Sequence, residues 1–434
     1  MNRDKTYPAS SSDIRAVEKR TFRLHLISQF LNGLSFGTLL LEDVILKKSL
    51  LGSDLEVTIL IFLTSSASLF SIYGVEIINR SQNKPRTIML MGLASKSFLL
   101  FIPLFESAAY FIFCIAIMAI IEGMIKPTWN MVFKHNYTDE RRSSLFSYAS
   151  SVHTLALLGA SLLLGYLLDI NYKVYLIFFP LAGVMDIIAY YNLSRIVKLG
   201  NFDSGKKVFR IGNLSARLFK DVVILPLRNV KRIFSENKSF FRFESYFFLY
   251  GMAFMILLPA MPIFFVENLK LDYTPISIAK GLMLYSAIII FTPLMGKLLG
   301  PKNPMKFCGI LFLSLVAFPL QLILLKHLTI DHHYYSPDIM LYIAYFLFGV
   351  SMSGVILSWN IGSIYFAPHK EVSNYQAVHI TLTGVRGLFS PFIGYLAIEL
   401  FSIETAFGLS TLLFLTGGIL MLRESKKERM AAHG

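Results

Sequence analysis

Residues 194–238, SRIVKLGNFDSGKKVFRIGNLSARLFKDVVILPLRNVKRIFSENK, separate two long and strongly apolar halves of the chain. The stretch carries eleven Lys/Arg, from Arg195 and Lys198 to Arg232 and Lys238, against the three acids Asp203, Asp221 and Glu236. It is too charged to enter a bilayer, and six apolar runs lie on each side of it. This reading makes it the basic hinge of an all-α integral membrane protein with twelve transmembrane helices. The halves are then 1–193 and 239–434, joined by the linker 194–238.

Composition agrees with that class. Hydrophobic residues make up 55% of the 434 positions, charged residues only 16%, and there are 38 phenylalanines. The mean hydropathy is +0.59. Soluble domains carry about 25% charged residues, and no soluble core hides this much apolar surface. The net charge of +14 falls between the apolar runs, as it does in short cytoplasmic loops, so it is assigned to topology and not to a nucleic-acid partner. Cys114 and Cys308 both lie inside apolar runs, which points to neither a disulfide nor a thiolate metal site.

A bilayer core of about 30 Å needs about 20 apolar residues per helix. The runs that meet this are 22–41, 57–78, 87–105, 109–132, 144–167 and 172–193, then 240–266, 275–298, 306–326, 338–360, 374–397 and 404–422. The polar start of the chain has no apolar core of a signal peptide and is expected to stay in place. Of the 41 Lys/Arg, 31 fall on the side of the termini and the linker, 5 on the opposite side, and five (Lys96, Lys126, Arg242, Lys280, Arg386) within the spans. That bias places both termini in the cytoplasm.

The halves echo each other. Trp129-Asn130 returns as Trp359-Asn360, and Gly165-Tyr166-Leu167 returns as Gly394-Tyr395-Leu396. The offsets of these two markers agree within one residue, which points to duplication, and parallel six-span repeats build one large transporter class. Gly74 at the end of span two is followed by Asn79-Arg80 and Lys84-Pro85-Arg86, and the second half carries Gly296 through Lys306 at the matching place. These segments are similar to the loop signature of the major facilitator superfamily, which the chain resembles over nearly its whole length. Gly387 to Gly394, with Pro391, is similar to the glycine/proline signature of exporters in that superfamily; its other reading is close packing and a bend. The resemblance implies a central cavity lined by spans one, four, seven and ten with two, five, eight and eleven.

Polar residues within spans are costly and mark function. Span eleven carries a stripe of Tyr375, His379, Thr383, Arg386 and Ser390 on one helical face. Arg386 lies about 18 Å deep, near the bilayer centre. It either grips an anionic substrate through its planar fork or forms an ion pair with an acid on another helix, Glu122 being one candidate. Span four carries Glu122, Lys126 and Trp129 at helical spacing, so Glu122 is expected to pair with Lys126 and either carries a proton or neutralises that lysine. Span one presents His25, Gln29, Asn32 and Ser35. Span five presents Ser147, Ser150, His153 and Thr154, with His153 read as a packing residue or a proton relay. Lys96 and Asp186, on peripheral spans three and six, are expected to pair with each other. Lys280 and Glu244 are expected to reach the surface. The loop cluster His327, Asp331, His332 and His333 is not expected to enclose a metal.

The candidate substrate-binding residues are therefore Arg386, Asn32, His379, Lys126, Trp129, Trp359 and Asn360, with Glu122 and His153 for proton coupling. No phosphate-binding loop or nucleophile motif is present, which disfavours an ATP-driven pump and an enzyme. The sequence reads as a secondary transporter of a small organic solute, anionic or amphipathic. It works by alternating access, is coupled to protons or another ion, and needs no cofactor. The same fold also serves multidrug or metabolite exporters. A polytopic membrane enzyme or a receptor-like protein is the alternative class; an enzyme would need catalytic residues grouped near the membrane surface, whereas these polar stripes lie deep. The expected setting is a monomer in a plasma membrane of bacterial inner-membrane type.

Overall fold

The computed structural model describes residues 11–200, 225–299, 303–328, 336–368 and 371–431. Among them there is no strand. Ten stretches are long and apolar enough to cross a membrane, and the interrupted helices over 54–80 and 372–400 complete the twelve spans. In the first half these are span one (Ser11–Leu39, continued by Glu42–Lys48), span two (Asp54–Ser66 and Ser71–Arg80), span three (Lys84–Phe101), span four (Ala108–Ile125 and Pro127–Asn136), span five (Asp139–Ile170) and span six (Tyr175–Leu199). The second half has span seven (Lys238–Ile263), span eight (Tyr273–Ser277 and Leu284–Leu299), span nine (Pro304–Leu315 and Ala317–Lys326), span ten (Pro337–Ile361), span eleven (Val372–Gly387 and Ser390–Leu400) and span twelve (Ile403–Ala431).

Local chemistry sets where helices begin and break. Asn83 accepts a hydrogen bond from the Arg86 amide (3.1 Å), and Asn303 accepts one from the Lys306 amide (2.8 Å). Each caps its helix, with Pro85 or Pro304 in the first turn, where a missing N–H costs nothing. The loop segments that resemble the superfamily signature thus start spans three and nine by the same device. Pro127 opens the second segment of span four, and span eleven stops at Gly387 and restarts at Ser390 with Pro391 in its first turn. That interruption is the bend expected from this glycine/proline stretch.

Within the first half, span one packs on spans five and six, and span three packs on span six. Gly33 and Gly37 let span one touch the span five backbone. A Cβ on Gly33 would lie 2.3 Å from the His153 carbonyl oxygen, and one on Gly37 would lie 2.4 Å from that of Leu157. Small residues at four-residue spacing permit this approach in lipid, where dispersion contacts and not water exclusion hold helices together.

The charged residues Glu42, Asp43, Lys47 and Lys48 end the first apolar run at 41 in the sequence, but the membrane-length stretch continues to Lys48. Span six likewise continues to Leu199. Residues 201–224 of the linker lie outside the described residues. The linker ends in a helix, Leu225–Glu236, which packs on spans seven and eleven and whose Ile233 is fully buried. Arg232 ties this helix to Glu371, before span eleven, at 2.7 Å.

Candidate functional site

Arg386 is 4% exposed and has no ion-pair partner among the described residues. Its Nη1 donates to the Phe247 carbonyl of span seven at 3.0 Å, and its Nη2 donates to Thr383 Oγ1 at 3.0 Å. Nε is buried without a partner among the described residues. The guanidinium lies against span seven because residue 251 is glycine: a Cβ there would fall 2.1 Å from Arg386 Cζ. Beside it is a cavity of about 200 Å³, walled by Tyr250 and Phe254 of span seven, Met352 and Trp359 of span ten, and Thr383 and Arg386 of span eleven.

Thr383 joins these groups. Its Oγ1 accepts from Arg386 and from Trp359 Nε1 (3.4 Å) and donates to the His379 carbonyl (3.1 Å). The His379 ring packs 5.8 Å from that of Trp359 and 4.8 Å from that of Phe247. Its Nδ1 stands 3.0 Å from both carboxylate oxygens of Glu244, while Nε2 is buried without a partner among the described residues. His379, Thr383 and Arg386 of the span eleven stripe therefore form one constellation with Trp359 of span ten. Glu244, at 2% exposure, does not reach the surface as expected; the span eleven imidazole offers it a partner inside the bundle.

The first half holds a second charged cluster. Lys96 Nζ is 2.6 Å from Glu122 and 2.9 Å from Asp186. Asp186 also accepts from Asn32 Nδ2 (3.0 Å) and from Ser35 Oγ (2.6 Å). Spans one, three, four and six are tied together by these bonds. The expected Lys96–Asp186 pair is present. The expected Glu122–Lys126 pair is not: Lys126 is exposed at the break before Pro127 and makes no ion pair with a described residue. Glu122 is also not the counter-charge of Arg386, since Lys96 takes its carboxylate.

The other candidates are scattered. Trp129 packs 5.3 Å from the ring of His25, whose Nδ1 meets the Tyr137 hydroxyl at 2.9 Å. Each tryptophan of the repeated pair thus lies against a buried histidine, but on a different span in each half. Asn360 is exposed and donates to the Ile356 carbonyl of its own helix. His153 packs on Phe36 (5.8 Å) and makes no hydrogen bond to a described residue. Asp331, His332 and His333 lie outside the described residues, as do the side chains of Asn79, Arg80 and Asn130.

Sequence reasoning missed the contacts between the halves. The polar ones gather at the end of the molecule holding Glu42 to Asp54, termed here the outer end after the Lys/Arg bias, while span two also packs on span eleven at Ser65–Gly387 and Leu69–Gly384. Lys280 does not reach the surface but binds both Asp43 oxygens (2.7 and 2.8 Å). Lys47 meets Glu267, and Lys48 meets Asp272 at 3.1 Å. Asp169, at the end of span five, accepts from the Tyr273 and Thr274 amides at 2.6 and 2.9 Å. It caps span eight from the other half, with its negative charge at a helix N-terminus. Gly165 and Ser277 abut at the same crossing.

Twelve spans in two halves around a basic linker, with deep charged and aromatic groups beside a cavity, define a polytopic membrane transporter and not an enzyme. The family model of the Major Facilitator Superfamily matches residues 26–361 and 245–433, and the chain belongs to that superfamily. A POT family transporter in complex with 5-aminolevulinic acid shares the fold at a TM-score of 0.70 and 15% identity, over 94% of this chain and 96% of its own. A peptide transporter POT in complex with alafosfalin does so at 0.70 and 14%, over 94% of each chain. The human organic anion transporter MFSD10 does so at 0.59 and 12%, over 93% and 99%. At these identities the likeness concerns the fold alone. No curated protein matches the chain.

Proposed function

We propose that this protein is a secondary transporter of a small organic anion, which Arg386 holds by its guanidinium. The observation that carries this reading is a guanidinium, 4% exposed, that makes no ion pair with a described residue, keeps an Nε–H that no described group accepts from, and forms part of the wall of a cavity. Burying such a charge costs at least about 2.5–3.5 kcal/mol, and a bound carboxylate or phosphate offsets that cost through charge-assisted hydrogen bonds. A shared fold with an organic anion transporter is compatible with this choice, as it is with peptides.

The reading includes alternating access in a bacterial-type plasma membrane with both termini cytoplasmic, the described state being closed at its outer end by the Asp43–Lys280, Lys47–Glu267 and Lys48–Asp272 pairs. Proton coupling is assigned to Glu122. Lys96 brings one positive charge to two carboxylates, so the three bonded groups carry one net negative charge, and Glu122 is their exposed member at 34% against 1% for Asp186. Taking up one proton there neutralises the cluster without breaking the Lys96–Asp186 bond.

Uptake of a panel of organic acids into proteoliposomes after a pH jump tests this directly. Glu122→Gln should abolish pH-driven accumulation yet leave exchange between equilibrated compartments intact, because exchange moves no net proton. Normal accumulation by well-expressed Glu122→Gln protein sinks the proton assignment. Orientation has its own check: a cysteine replacing Asp331 should label from outside intact cells, and one replacing Lys206 should not.

A further inference from the structure

The cavity beside Arg386 limits what kind of anion it accepts. Phe254, Met255, Met352, Val355, Ile356 and Trp359 give it an almost wholly apolar wall. Arg386 is the one cation among its lining residues, and none of them is a carboxylate. A dianion would therefore bring a negative charge with no partner, and a zwitterion would bring an ammonium group with no acceptor acid. Both would lose hydration without replacement. Glu244, whose charge acts on Arg386 from a distance, is bonded to His379 and does not line the cavity.

Size gives a minimum and not a limit, because the cavity is open on one side. An apolar cavity of about 150 Å³ holds benzene, and this one is about 200 Å³. It accommodates one ring, or a chain of similar bulk, with a single carboxylate. The guanidinium has five N–H groups. Two are used on Phe247 and Thr383, and Nε is buried, which leaves one hydrogen on each terminal nitrogen for a bidentate carboxylate. The Gly251 backbone and the Phe247 ring, 5.9 Å from Cζ, hold the fork in place.

We propose that the substrate class is an amphipathic monoanion, a hydrophobic monocarboxylate whose charge meets Arg386 and whose ring or chain fills the pocket between spans seven and ten. This inference rests on the anion-binding reading above and narrows it. Hydrophilic acids of the same charge, such as acetate or lactate, leave the apolar wall empty, and dipeptides carry an ammonium that the pocket does not meet.

Trp359 reports on the site from within. In the full-length Trp129→Phe protein it is the sole tryptophan, and its emission can be titrated with benzoate, hexanoate, acetate, lactate, dialanine and benzamide. Benzoate and hexanoate should saturate the signal at concentrations at least tenfold below those needed for the other four. Arg386→Gln should weaken benzoate tenfold or more. Met352→Gln, which leaves the charge in place, should weaken benzoate but not acetate. Acetate, lactate or dialanine binding as tightly as benzoate, in an Arg386-dependent way, overturns the inference and keeps the anion site. Benzamide matching benzoate, with Arg386→Gln silent, overturns both. No saturable response to either hydrophobic acid also refutes the inference.

Discussion

Replacing Lys96 by methionine tests whether the three-residue cluster holds the first half together. Lys96 is 1% exposed and, among the described residues, is the only cation bonded to Glu122 and Asp186. Its removal leaves two carboxylates facing each other inside the bundle, with Asn32 and Ser35 still donating to Asp186. Removing one partner of a buried pair costs about 3–5 kcal/mol. Because Glu122 is one-third exposed, the lower end applies. For a folding unit of this size, about 3 kcal/mol corresponds to a melting midpoint roughly 6–12 °C lower. The assay is thermal unfolding of the purified protein in detergent at neutral pH. Lys96→Met/Asp186→Asn removes one of the stranded charges and should recover at least half of the loss, while Asp186→Asn alone should cost little. If Lys96→Met melts within about 2 °C of the wild type, or the double variant is no better than the single, the cluster is not a mutual support and the reasoning fails.

Gly251→Ala places a methyl where the guanidinium lies and should displace Arg386. Binding of anions should fall at least tenfold with little change in melting, and unchanged affinity would show that the packing is not needed. Asp43→Asn should loosen the outer end, so that a cysteine placed at Tyr273 reacts faster with a membrane-impermeant thiol reagent. The charge swap Asp43→Lys/Lys280→Asp should reverse that gain, and equal rates in all three proteins would contradict the lock. The hydrogen bond from Arg232 holds the Glu371 carboxyl below the usual carboxylate range. A depressed carboxyl pKa contributes stability above the ordinary carboxylate range and loses it as pH falls through the folded value. Proteolysis at the linker helix should therefore accelerate in acid in the wild type. The Glu371→Gln protein should be cut at that faster rate at all pH values, and a pH-independent wild type would exclude the clamp.

Much of this fold is legible in hydropathy and charge, because apolar runs and the Lys/Arg bias are properties of single segments. The Lys96–Asp186 pair is also readable, since two opposite charges on deep spans have few other partners. What pattern reading misses is the choice of partner between helices. The four-residue spacing of Glu122 and Lys126 suggests a local pair, but the break before Pro127 leaves Lys126 exposed, and Glu122 turns instead to Lys96 on the neighbouring span three. Glu244 and His379 lie on spans seven and eleven, and no local rule connects them. Glu42 and Asp43 read as a loop because hydropathy counts charges as span ends, whereas Asp43 is neutralised by Lys280 from the other half.

The most direct test of the central claim is the half-saturating concentration for uptake of the best acid from the panel, measured for the wild type, Arg386→Lys and Arg386→Ala in proteoliposomes. Lysine keeps the charge but loses the planar fork. The loss of one charge-assisted hydrogen bond, about 1.5–3 kcal/mol, predicts roughly a 10- to 150-fold weaker affinity. Arg386→Ala should melt normally and take up nothing. Wild-type affinity in both variants, or uptake confined to neutral and cationic compounds, would contradict a guanidinium that holds the substrate anion.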